Sequence, residues 1–323
     1  MAKRSPSEQL NQVVDAIIAN SDAMAPRVDR EIDPLVRLAG ELRGLPREEF
    51  KARLKNDLKR RFSMTTAPGK EFREGFHTIT PYLIVNEAAE LIDFVKQAFN
   101  AEESFRTIGS AGGIHCEVRI GDSMVMIGGG GAWSGTPTPA SLMVYVDDVD
   151  AVYERALRAG ATSTNVPTEQ EYGDRDAGVA DSFGNNWYIS TKRELEHNPV
   201  DLRTITPMMS FQGTPQVIDF LKNAFGAEVA YRAESPDGTV VHAKVRIGDS
   251  LFALSEAHGP YQPRPATFYL YVNDVDKWYQ RALAGGAVSL SEPADQDYGD
   301  RVAGVKDPSG NTWYMGTPIG GAS

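Results

Sequence analysis

The chain repeats itself. Residues 172–188 read YGDRDAGVADSFGNNWY, and residues 298–314 read YGDRVAGVKDPSGNTWY, 126 positions later. The same offset joins Ile79-Thr80-Pro81 to Ile205-Thr206-Pro207 and Tyr145-Val146-Asp147 to Tyr271-Val272-Asn273. Between these, HCEVRIGDS from His115 matches HAKVRIGDS from His242 at an offset of 127, so one residue is inserted in a loop near Ser235-Pro236-Asp237-Gly238. A period this long exceeds a solenoid unit, so each copy should be a domain with its own core. The reading is residues 77–193 for the first domain and 204–320 for the second, after an N-terminal helical extension and linker over residues 1–76.

Periodicity resolves each copy further. Residues 79–85 are apolar and β-branched, a strand, and 88–99 carry a helical stripe. Strands are expected at 103–108, 114–120 and 124–127, the last two joined by a turn at Gly121-Asp122. A strand at 142–146 and a helix at 149–159 follow, the helix capped by Asp147-Asp148 and stopped at Gly160. Three short strands come next, near 161–165, 177–180 and 186–191. The order is βαβββ twice per copy, so the fold class is α+β with four modules in the chain. The N-terminal extension reads as three short amphipathic helices. Leu10, Val13, Val14, Ile17 and Ile18 mark the first, and Phe50, Leu54 and Leu58 the third.

Charge and cysteine content narrow the function. Of the net charge of −11, residues 1–76 contribute +3, from 15 basic and 12 acidic side chains. The remainder carries −14, which repels nucleic acid and anionic membrane. Residues 47–61, with seven basic and three acidic side chains, read as a solvated helix face. Cys116 is the single cysteine, so there is no disulfide framework or multi-cysteine zinc site. The chain has five His and no HExxH pattern. The glycine run 128–131 opens no helix and lacks a Walker lysine. No apolar run spans a bilayer and no secretory signal stands out, so the expectation is a soluble, cytoplasmic protein.

Strand alternation puts His115, Glu117 and Arg119 on one face, and Cys116, Val118 and Ile120 on the other. In the second copy His242 and Lys244 take the polar positions. His115, Glu117 and His242 are the candidate catalytic groups. Their alternative role is to stabilise the sheet surface. Tyr145, Tyr172, Trp187, Tyr271, Tyr298 and Trp313 are candidate stacking surfaces, with core packing as the other use of such residues. Arg175 and Arg301, beside Asp174 and Asp300, either present a fork to an anionic ligand or form a local ion pair.

Taken together, the tandem βαβββ halves, the HAKVRIGDS strand, the YVNDVD-helix unit and YGDRxAGVxDPSGNxW resemble the glyoxalase/bleomycin-resistance/dioxygenase (vicinal oxygen chelate) superfamily, and its PhnB-like branch in particular. The resemblance covers residues 78–192 and 204–318. It implies tandem glyoxalase-like domains. It also implies that metal-dependent relatives would place their ligands near Thr80, Met126, Ser141 and Tyr188, and near Thr206, Ala253, Thr267 and Tyr314. None of these is a good hard-metal ligand. The expectation is therefore a metal-free, cofactor-free protein that binds a small, flat aromatic or cationic molecule in the cleft between modules. One alternative is a metal-independent lyase or isomerase using His115 and Glu117, or His242. Another is a scaffold whose N-terminal helices recruit a partner. The two copies are expected to pack as an intramolecular pseudo-dimer, with homo-oligomerisation left open.

Overall fold

The computed structural model of the protein describes residues 75–109, 111–171, 173–191, 202–259 and 261–319. The three expected N-terminal helices and Tyr172 lie outside them. The first module runs β1 (Ile79–Val85), α1 (Ala88–Phe99), β2 (Glu102–Ile108), β3 (Ile114–Ile120) and β4 (Ser123–Gly129). The second is β5 (Ser141–Val146), α2 (Val149–Arg158), β6 (Thr162–Glu169), β7 (Arg175–Ala180) and β8 (Asn186–Thr191). The third is β9 (Ile205–Phe211), α3 (Thr214–Phe225), β10 (Glu228–Glu234), β11 (Val240–Ile247) and β12 (Ser250–Glu256). The fourth is β13 (Thr267–Tyr271), α4 (Val275–Ala284), β14 (Val288–Asp295), β15 (Asp300–Lys306) and β16 (Thr312–Pro318).

Local chemistry explains the ends of these elements. The Asp148 carboxylate accepts from Ala151 N–H at the start of α2, and Asp274 does the same for Lys277 at the start of α4. Helices α1 and α3 end one repeat apart on left-handed residues, Asn100 and Gly226. The buried stripe of α1 is Ala88, Leu91, Ile92, Phe94, Val95, Ala98 and Phe99, which includes every apolar position its spacing selects.

The sheets do not follow the copies. One eight-stranded sheet has the order β14-β15-β16-β13-β1-β4-β3-β2, joining the first module to the fourth. The other has the order β10-β11-β12-β9-β5-β8-β7-β6, joining the second to the third. The junctions are the antiparallel pairs β1/β13 and β5/β9. The hydrophobic cores, by contrast, do follow the copies. The first gathers α1, α2 and the helix-facing residues of their strands, and the second does the same for α3 and α4. Each copy thus has its own core, with one isoleucine lent across (Ile79 to the second core, Ile205 to the first), while each sheet is shared between copies.

A reciprocal set of hydrogen bonds ties the copies near the junctions. Thr78 N–H donates to Asp249 Oδ1 at 2.8 Å, and Thr204 N–H donates to Asp122 Oδ1 at 2.7 Å. Ile79 N–H and Ile205 N–H donate to Ser250 Oγ and Ser123 Oγ. Gly121 and Gly248 precede the two aspartates with φ of 59°, and a Cβ there would collide with Thr204 or Thr78. His77 Nδ1 lies 3.0 Å from Asp249 Oδ2, and its Nε2 lies 2.9 Å from the Asp122 carbonyl.

Candidate functional site

Each sheet has a helix-packed face and a far face, and alternation decides which side chains reach the far face. On the first sheet, Cys116, Val118 and Ile120 of β3 enter the core. His115 and Glu117 therefore point the other way. Glu117 is buried, and its Oε1 stands 3.7 Å from His115 Nε2. On the ring's other side, Tyr82 Oη of β1 lies 3.0 Å from His115 Nδ1. Burial, with Tyr314 and Tyr298 nearby, pushes the Tyr82 hydroxyl up to about 12. A phenol that keeps its proton can donate to Nδ1, leaving the imidazole proton on Nε2, toward Glu117. Tyr82, Tyr269, Tyr271 and Tyr314 cluster on this face with Phe76, Met124 and Met126. The first and fourth modules, from different copies, thus share one tyrosine-rich surface with a buried carboxylate beside a histidine.

The corresponding face of the second sheet has diverged. His242 lies 6.1 Å, ring to ring, from Tyr231. Lys244 takes the place of Glu117 and is buried. Burial lowers its pKa to about 8, and Asp174, just before β7, and Asp176, on β7, oppose that shift. Tyr145 is buried with Leu202 and Leu251 on this face. Burial raises its pKa, and the same two aspartates add to the effect. Farther along, where β5 and β8 meet β9 and the loop after β12, lies a cavity of about 240 Å³. Ser141, Tyr188, Met208, Tyr261 and Arg264 are among its lining residues. The rings of Tyr188 and Tyr261 are 6.1 Å apart. Burial and Tyr261 raise the Tyr188 pKa, while Arg264 and Ser141 act against the rise.

Several residues proposed from the sequence as ligand contacts belong elsewhere. Trp187 and Trp313 are 0 % and 1 % exposed and sit in the helix-side cores against Phe99 and Phe225. Their indole N–H groups donate to Asp181 and Asp307. A ring enclosed in this way offers no surface to a guest. Arg175 and Arg301 also point to the helix side. Each makes a two-nitrogen contact with a first-turn helix carboxylate, Asp150 in one copy and Asp276 in the other. The fork is an ion pair holding helix to sheet. Tyr271 is on the first sheet's far face, with Phe76 edge-on at 5.3 Å. Tyr298 is 70 % exposed, on the turn before β15.

The positions at which the resemblance would put metal ligands do reach the far faces. On the first sheet they are Thr80, Met126, Thr267 and Tyr314, and on the second Thr206, Ala253, Ser141 and Tyr188. Thr80 Oγ1 is buried with no hydrogen-bond partner, but a lone hydroxyl among thioether and phenol groups does not make a divalent site. Among the described residues, no three His, Cys, Asp or Glu side chains come together to hold a metal. The donor set does not fit the superfamily's metal. Sequence reasoning missed Tyr82, Tyr261 and Arg264. The alternation of β1 could have placed Tyr82 beside Thr80. The loop carrying Tyr261 and Arg264 has no periodicity to read.

Comparison with known proteins agrees with this architecture. The family model described as "Glyoxalase/Bleomycin resistance protein/Dioxygenase superfamily" matches residues 75–189 and 212–315. An uncharacterized protein of Mycobacterium bovis is 39% identical over 147 residues, 42% of this chain and 93% of the relative. One from Mycobacterium tuberculosis is equally identical over 84% of its length. Glyoxalase I from Zea mays superposes with a TM-score of 0.59 at 16% identity, over 74% of this chain and 92% of that one. A putative dioxygenase from Bacillus subtilis gives 0.54 at 13% identity, over 78% and 87%. At such identities these structures speak for the fold alone. With the family model matching both copies over more than half its length, the chain belongs to the glyoxalase/bleomycin resistance protein/dioxygenase superfamily and carries that fold in tandem.

Proposed function

We propose that this is a small-molecule-binding member of the superfamily that works without a metal and holds a flat guest on a far face, between modules. The observation that carries the reading is the cavity of about 240 Å³ at the meeting of the second and third modules, with Tyr188 and Tyr261 in its wall. Sites for drug-sized ligands run to about 300–1,000 Å³, so the guest is small. A panel of small aromatic compounds tested by thermal shift checks the reading, because a ligand selective for the native state raises its melting temperature by mass action. Binding to the wild type that Tyr188→Ala abolishes is the expected result. A panel that leaves the melt unmoved at millimolar concentration contradicts it.

The first sheet favours a second reading. Tyr82 is in hydrogen-bond reach of His115 at 3.0 Å, and Glu117 stands at 3.7 Å on the ring's other side, an ion-pair distance that must shorten before a proton can pass between them. That reading is a metal-independent isomerase or lyase acting beside a carbonyl. Its signature is deuterium uptake by α-hydroxy ketones in D2O, catalysed by the wild type and lost in His115→Gln. Equal uptake with and without protein removes it.

A further inference from the structure

Resting on the reading of the second-sheet cavity as a ligand site, the repeat itself supplies the chemistry of the guest. The lining positions on β5, β8 and β9, and Arg264 on the loop before β13, have counterparts 126 residues away, beside the first sheet. There, Thr138 and Thr267 close the same spot, their hydroxyls hydrogen-bonded at 2.8 Å. Thr138 N–H also donates to the Ile84 carbonyl at 2.9 Å, fastening the loop to β1. On the second sheet Arg264 stands where Thr138 does, Ser141 where Thr267 does, and Met208 where Tyr82 does. The tie is replaced by a cavity with a guanidinium at its edge.

The lining is selective in charge. Its ten residues include one cation, Arg264, and no carboxylate. This is notable against the −14 carried by residues 77–323, which favours cations elsewhere on the surface. Neutral polar groups accompany the arginine. Asn186 donates to Ser141 Oγ at 3.4 Å, and the Tyr188 hydroxyl keeps its proton because burial raises its pKa. Tyr188, Tyr261 and Met208 supply apolar surface. A planar guanidinium matches the two oxygens of a carboxylate, and tyrosine and methionine faces suit a ring. One cation in a small volume does not suit a phosphate dianion or a nucleotide.

We propose that this cavity binds a small aromatic monocarboxylate of the size of benzoate, its carboxylate on Arg264 and its ring against Tyr188, Tyr261 and Met208. The test titrates the full chain with benzoate, benzamide and benzylammonium by calorimetry and thermal shift. The wild type is compared with Arg264→Gln, Arg264→Lys and Tyr188→Ala. Arg264 is exposed, so its variants should melt as the wild type does without ligand. The expected result is benzoate binding that exceeds benzamide binding at least tenfold, with no response to benzylammonium. Arg264→Gln should remove that preference, and Arg264→Lys should restore part of it. If benzamide and benzoate bind alike and Tyr188→Ala abolishes both, the carboxylate assignment is overturned and the cavity stands as a site. If none of the three binds, or no variant alters binding, the cavity reading falls with it.

Discussion

Asp307 accepts four hydrogen bonds at 2.8–2.9 Å, from Ser309 N–H, Asn311 N–H, Asn311 Nδ2 and Trp313 Nε1. Asp181 does the same in the first copy, for Phe183, Asn185 and Trp187. One buried carboxylate shapes the turn and fixes the indole, which explains why Asp, Asn and Trp recur at this spacing. Asp307→Ala would leave those donors buried without their acceptor, so a loss of roughly 3 kcal/mol or more is expected. Urea unfolding would measure it, and a loss below about 1 kcal/mol would mean that water replaces the carboxylate at little cost. The role of the tryptophans was legible in principle. Trp187 shares strand parity with Ile189, and Arg175 shares it with Ala177 and Val179, so alternation sends them to the helix side. Aromatic identity drew attention to surface stacking, while parity decided the matter. Arg264 was not legible, because a loop side chain acquires its surroundings only from a module folded elsewhere.

Elements were read well where the signal lies within the element. The helix at 88–99 falls on its expected limits, and the helix at 149–158 and the strands around them fall within four residues of theirs. What β1 pairs with is a different matter, because nothing in its seven residues names β13. Specificity at the junctions comes partly from His77 and the two aspartates. The hydrogen bond to Asp249, opposed by burial, raises the His77 pKa above its usual 6.5. Burial works against ionisation of Asp249, but His77 and the Thr78 donors prevail and hold it well below the usual carboxylate range. The histidine contribution is complete below about pH 6.5 and is lost as pH rises through the raised value. The aspartate contribution is complete above about pH 4 and is lost as pH falls toward its depressed value. The junction should be firmest between those limits. Because His77 is only partly buried, the effect should be about 1 kcal/mol or less, a shift of about 2–4 °C in melting temperature. The wild type should lose that margin over His77→Gln between pH 6 and pH 9, and parallel melting curves for the two proteins across that range would contradict the assignment.

At the scale of the molecule, a copy supplies all of its core but one isoleucine, Ile205 for the first copy and Ile79 for the second, and is incomplete in its sheets. Expressed alone, residues 75–191 would keep α1 and α2 packed, with β1 still on β4 and β5 still on β8, but would leave β1 without β13 and β5 without β9. Unpaired edges of this kind seek partners. Each copy alone should self-associate in sedimentation, and mixing the two should yield a one-to-one complex. Two stable monomers that ignore each other would show that the helix-side cores suffice.

The strand order also has a consequence for how the chain is made. The second sheet draws on β5 to β12, one uninterrupted stretch of chain, while the first takes its two halves from opposite ends of the repeat. A ribosome releases the N-terminal module first, yet β1 must wait for β13, nearly two hundred residues behind it. The inner sheet, with the cavity beside Arg264, can therefore close while translation continues. The outer sheet, carrying Tyr82, His115 and Glu117, closes last and pays the longest loop closure. Throughout synthesis the first module holds an open strand edge, so it is the part of this protein most in need of protection before the stop codon is reached.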